Sequence, residues 1–173
     1  TTGSTNTAIG GSALYSNTTG GSNTANGNGS LYSNTTGGNN TATGYNSLSS
    51  NTTGDNNTAF GKSAGDVITT GSNNTILGYN ADPSANSGTN QIVIGYAATG
   101  LGDNYAVIGN ADVTRVYMAQ DAGATLYAAG LNLSGTAVTS TAAELNLLDG
   151  VTSTTAELNI LDGVTSTATE LNI

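Results

Sequence analysis

Three glutamates, Glu144, Glu157 and Glu170, recur at 13-residue intervals and are the first residues in this chain to consider for acid–base chemistry. Such work needs two carboxyls held together. Each glutamate instead closes a Thr-x-x-Glu segment (Thr141–Glu144, Thr154–Glu157, Thr167–Glu170) before an apolar run, the capping box that starts a helix. A threefold axis would gather the same glutamates into a cation site, which stays open as the alternative. Nucleophilic triads are excluded, because the chain has neither histidine nor cysteine. Gly61-Lys62-Ser63 lacks the upstream glycine of a phosphate loop, since Asn56 stands there. A calcium-binding nonapeptide needs an aspartate in every repeat, and residues 1–54 contain no charged side chain. No enzyme activity, cofactor or metal is expected.

What remains is surface chemistry. Tyr15 and Tyr32 occupy equivalent places 17 residues apart and are surface-binding candidates, an aromatic stripe for sugars. The plainer reading is that they cover a wall of the fold. Asn17, Asn34 and Asn51 each head an Asn-Thr-Thr glycosylation sequon, but their repeat position argues for a ladder of turns. Net charge is −9, with Lys62 and Arg115 the only bases, so phosphate neutralisation and nucleic-acid binding are excluded. Attraction to an anionic membrane surface fails on the same count, and no apolar run is long enough to insert.

The elements that carry these residues are set by repetition. Copies of a 17-residue cassette open at Gly3, Gly20, Gly37, Gly54 and Gly71, and two shortened copies open at Gly88 and Gly102. A period this short means stacked identical units that bury their apolar faces only against one another. The sixth cassette position reads Ala8, Ala25, Ala42, Ala59, Ile76, Val93 and Val107, small or aliphatic throughout, while the seventh tolerates any side chain. That alternation is the period-2 signature of a strand with one face inward. Leu14, Leu31 and Leu48, at the twelfth position, are read as a second short strand sending leucine into the same interior. Frequent glycine and threonine disfavour helix, and the Gly/Asn clusters between strands supply turns. The fold class is therefore mainly β, a parallel β-solenoid over residues 1–118. Coils stacked about 4.8 Å apart give a rod on the order of 34 Å long. The early coils have too thin an interior to stand alone, which predicts association with other chains.

The Asn-Thr-Ala-Ile-Gly stretch at Asn6–Gly10, echoed at Asn57–Gly61 and Asn74–Gly78, resembles the repeat of YadA-like trimeric autotransporter heads, and related repeats occur in phage tail fibres. The resemblance implies a left-handed parallel β-roll assembled as a trimer. The 17-residue cassettes exceed the usual family coil, which implies an enlarged turn around Tyr15–Thr19.

After a bridging segment at 119–138 the period becomes 13 over residues 139–173. Each unit reads as a short helix ended by glycine (Gly150, Gly163), then an extended Val-Thr-Ser link. Helices of about two turns are unstable alone, so Leu145, Leu148, Leu158 and Leu161 are trimer-contact candidates. The Thr-Ala-x-Glu-Leu-Asn-x-Leu-Asp-Gly-Val-Thr repeat resembles segments of tail-fibre proteins from marine and cyanobacterial phages. Together the two resemblances imply a homotrimeric virion fibre shaft at the particle surface, reaching a host glycan or protein through the full-length fibre. The alternatives are a bacterial trimeric autotransporter-type adhesin on the cell surface or an extracellular filament, or, from the ladders Thr18/Thr35/Thr52 and Thr19/Thr36/Thr53, an ice-binding solenoid.

Overall fold

A computed structural model describes residues 2–116 in full and the strand residues of a hairpin at 131–138. The helical repeats expected over 139–173, with Leu145, Leu148, Leu158 and Leu161, lie outside the described residues, as do Glu144, Glu157 and Glu170. The chain divides into two units, Thr1–Tyr117 and Met118–Ile173.

Seven three-residue strands form the first unit: β1 (Thr7–Ile9), β2 (Thr24–Asn26), β3 (Thr41–Thr43), β4 (Thr58–Phe60), β5 (Thr75–Leu77), β6 (Ile92–Ile94) and β7 (Ala106–Ile108). They pair in sequence order, all parallel, in one seven-stranded sheet. Register follows the cassette, with Ala8 opposite Ala25, Ala25 opposite Ala42, and Ala59 opposite Ile76. The architecture is a β-solenoid, one strand per coil. No helix occurs among the described residues. In the second unit, β8 (Leu131–Leu133) and β9 (Thr136–Val138) pair antiparallel, a hairpin within what reads in sequence only as a bridge.

The central strand residue faces inward. Ala25, Ala42, Ala59, Ile76 and Val93 are buried. Ala8 is exposed and Val107 half-buried, because each lies in an end coil of the described stack with a neighbouring coil on one side only. Leu31 and Leu48 are fully buried and Leu14 packs against the core, but not as a second strand. These leucines sit in turns with φ of 52°, 50° and 51°. The wall is still bonded coil to coil, Leu31 N–H to the Ser47 carbonyl and Leu48 N–H to the Ala64 carbonyl, both at 3.0 Å. A left-handed backbone costs a non-glycine residue about 1–2 kcal/mol, which burying a leucine, at about 1.5–3 kcal/mol, offsets.

Asparagines form two further buried columns. In the first, Asn6, Asn23, Asn40, Asn57 and Asn74 each accept at Oδ1 the backbone N–H of the residue 17 places on, at 2.8–3.1 Å. Their Nδ2 groups donate to the carbonyls of Gly20, Gly37, Gly54, Gly71 and Gly88. In the second, Asn17, Asn34 and Asn51 donate to those of Gly20, Gly37 and Gly54, and also bond one another along the stack. The first three of those carbonyls therefore carry two amide donors each. A side chain on Gly37 would run into the Gly54 carbonyl, so the residue opening the coil must be glycine.

The second column stops at Ile68, which is buried where the next asparagine would stand, and leaves Asn51 Oδ1 buried without a partner. In that coil the core leucine is also replaced, by Gly65 at φ 64°. A Cβ on Gly65 would lie 3.0 Å from Leu48 Cδ2 and 3.3 Å from Ile68 Cδ1. Ile68 has thus taken over the volume of the missing leucine, and the two changes are one exchange. Gly65→Leu alone overpacks the coil, and Ile68→Asn alone empties it; each should cost about 2 kcal/mol. The double variant should recover most of that loss, because it restores the leucine and extends the asparagine column to Asn51. Urea unfolding of the four proteins measures this coupling.

Candidate functional site

The strand residues on either side of the buried one point outward. On the first outward column stand Thr7, Thr24, Thr41, Thr58 and Thr75, then Ile92 and Ala106. On the second stand Ile9, Asn26, Thr43, Phe60, Leu77, Ile94 and Ile108. The interior is filled by the chain's own residues, so this apolar surface is surplus: Ile9 is 58% exposed, Phe60 62% and Ile108 56%. Each strand ends at a glycine in a bend, where φ is 136° at Gly44 and 138° at Gly61. A side chain on Gly44 would meet the Gly61 carbonyl as well as adopt a strained φ, so the corner requires glycine.

Immediately past that corner runs an aromatic column, Tyr45, Lys62, Tyr79 and Tyr96, all exposed. Tyr79 and Tyr96 stack at 5.4 Å with their planes 9° apart. Lys62 Nζ lies 5.9 Å from the Tyr45 ring centre and 5.4 Å from that of Tyr79, within reach of a cation–π attraction. The tyrosines singled out in sequence, Tyr15 and Tyr32, stack at 5.2 Å and 4° on a different wall. Parallel stacking turns their facing ring surfaces toward each other, away from a ligand. The Tyr45–Tyr96 column is less regular in sequence, since Gly11, Asn28 and Lys62 share its cassette position. It becomes visible when the coils are stacked.

The sequon asparagines are interior: Asn34 and Asn51 are fully buried, and their amide nitrogens are hydrogen-bonded within the core. The hydroxyls of Thr18, Thr35 and Thr52 donate to the carbonyls of Thr35, Thr52 and Thr69, which commits them to the stack. That takes support from an ice-binding face on this ladder. Thr7, Thr24, Thr41, Thr58 and Thr75 make a regular outward row, but Phe60 and Leu77 stand beside it.

Among the described residues, no group of three acidic side chains gathers to hold a metal ion, and no helix is long and apolar enough to cross a membrane. A cleft at the last coil, lined by Leu101, Val107, Ala111 and Asp112, brings one carboxyl to mostly apolar walls. Asp82, half-buried, occupies the cassette position of the core leucines. Pro83 follows it and disfavours the turn conformation, so Asp82 is extended and bridges Thr99 in parallel. Its Oδ1 is buried without a partner. Burial, reinforced by the Asp66 carboxylate and opposed by the Val67 N–H, raises its pKa from 3.8 to about 6.

Comparison with known protein families, curated proteins and solved structures finds no match to this chain.

A folded-state pKa above the unfolded value means that Asp82 favours the fold while protonated. That contribution is complete below pH 3.8 and fades as pH rises through about 6. Asp82→Asn should therefore stabilise the protein at pH 7, by on the order of 1 kcal/mol given the screening of a half-exposed group. It should also flatten the loss of stability across that pH window. Thermal unfolding between pH 3.5 and 7.5, in a series spanning the values just given, reads both effects.

Proposed function

We propose that this chain is a shaft segment of a homotrimeric virion fibre, from a tail or capsid-attached fibre, which extends and presents a host-attachment surface in three copies. The observation that supports this reading is the outward face of the sheet. A solenoid that had only to fold would cover its outer wall with polar side chains. Here Phe60, Leu77, Ile92, Ile94 and Ile108 form a continuous exposed strip, and contiguous apolar surface of this kind marks an interaction site. Phe60, Leu77, Ile94 and Ile108 lie in register from coil to coil, with Ile92 beside them on the neighbouring column, a geometry for packing parallel copies along their length. Three chains around one axis would turn the three strips into a shared core and leave the remaining walls to solvent. The motif resemblances described above favour a virion fibre over a bacterial trimeric autotransporter, because they pair the β-roll cassette with a second fibre repeat in tandem. Attachment would work through valency, three equivalent weak contacts adding to useful avidity.

Sedimentation equilibrium should give about three times the chain mass of 17.0 kDa. Leu77→Asp with Ile94→Asp should bring the mass to that of a single chain, because each trimer would bury six unpaired carboxylates along its axis. A native chain that stays monomeric at all concentrations, or a double variant that remains trimeric, would overturn this reading.

A further inference from the structure

We propose that the notch between Tyr45 and Tyr79, into which the Lys62 ammonium projects, binds an acidic pyranose, a sugar bearing a carboxylate or sulfate. This names the ligand class for the attachment surface and in that respect rests on the fibre reading. Within the column, Lys62 interrupts an otherwise aromatic stack. Tyr79 has one face covered by Tyr96, but the other lies toward the Lys62 ammonium, with Tyr45 beyond it. Two ring faces in successive tyrosine coils thus look at each other across a gap one coil deep. The Lys62 ammonium occupies that gap on an exposed side chain, and exposed side chains exchange rotamers within nanoseconds, so a ligand can displace it outward.

The lysine makes no salt bridge among the described residues, although Asp55 and Asp66 lie within a few residues of it in the chain. Its charge is therefore open to an external anion. It is also one of only two positive charges on a chain of net charge −9, so an anionic ligand has few other places to settle. A pyranose fits this set of groups: its axial C–H face lies on an aromatic ring and its acid group meets the ammonium. An acidic peptide would use the ammonium alone and leave the paired ring faces idle.

The test is titration of the full chain with three oligosaccharides of equal length: a trigalacturonate, a sulfated galactotriose and neutral galactotriose. Binding is read from ligand NMR and tyrosine fluorescence. One or both acidic sugars should bind at least about tenfold tighter than the neutral one, and the stronger identifies the acid group. Lys62→Gln should abolish that preference and Tyr79→Ala should weaken all binding, whereas Lys62→Arg and Tyr15→Ala should leave it intact. Equal binding of acidic and neutral sugars, no binding of any, or an unchanged preference in Lys62→Gln would overturn the proposal. Sedimentation of the same samples separates the two readings. A trimer that binds no sugar removes the notch and leaves the shaft. A monomer that binds acidic sugar keeps the notch and removes the shaft.

Discussion

The glycine carbonyl that opens each early coil is held by two buried asparagine amides, and the rest of the stack depends on that contact. Asn23 and Asn34 meet at the Gly37 carbonyl, as Asn40 and Asn51 meet at that of Gly54. The two donors come from opposite ends of one coil, so their meeting fixes how many residues lie between them. Inserting or deleting a residue would separate one of them from its acceptor. A buried amide without its partner costs about 1–3 kcal/mol, and a slipped stack would multiply that loss. Alanine and leucine packing in these coils is too non-specific to enforce such a register by itself. The polar columns supply specificity, and the thin apolar core supplies burial.

Along the array this balance changes in steps. At Gly65 and Ile68 one asparagine column ends and its place passes to an aliphatic side chain. At Gln91 the other column ends. The longer side chain turns to Ser84 and Asp103 while its backbone N–H still bonds Asn74. The coil that contains Gln91 is the first of the 14-residue coils, so coil length changes where the ladder that measured it stops. Ile76 and Val93 widen the apolar interior over the same interval. Register is then carried by β-branched packing between strands, which is more demanding of shape than alanine on alanine.

Much of the first unit was legible in the sequence because its strand alternation is strict. Every inward strand residue is small or aliphatic and the outward residue that follows it varies freely, so the face is assigned without knowing the coil's path. The leucine column reads in sequence as a strand because burial and periodicity look the same in a bonded turn; only φ separates them, and Leu31 and Leu48 give no sequence cue to it. The asparagines were read as turn formers. Their composition supports that, but whether an asparagine lies outward in a turn or inward on a carbonyl depends on where the next coil falls. Asn73 and Asn74 show the difference, one exposed at φ 63° and the next fully buried in the ladder. The Tyr45–Tyr96 column escaped for a related reason: its members share a cassette position with glycine and asparagine, so no single-position rule selects them.

The proposed assembly and ligand binding would compete if they used one surface, and the corner glycines set the two candidate surfaces on different walls. Phe60 and Lys62 are two residues apart, as are Leu77 and Tyr79, with Gly61 and Gly78 between them at φ of 138° and 142°. In a continuing strand, residues two apart share a face. A bend at the intervening residue removes that relation and turns the tyrosine column onto a different wall from the apolar strip. In the proposed trimer, covering the strip with partner chains would therefore leave the aromatic column open, once for each chain. A glycine at this corner is required first by the carbonyl of the next coil. The same constraint that lets the coils stack closely also divides the outer surface into one wall suited to association and another suited to a ligand.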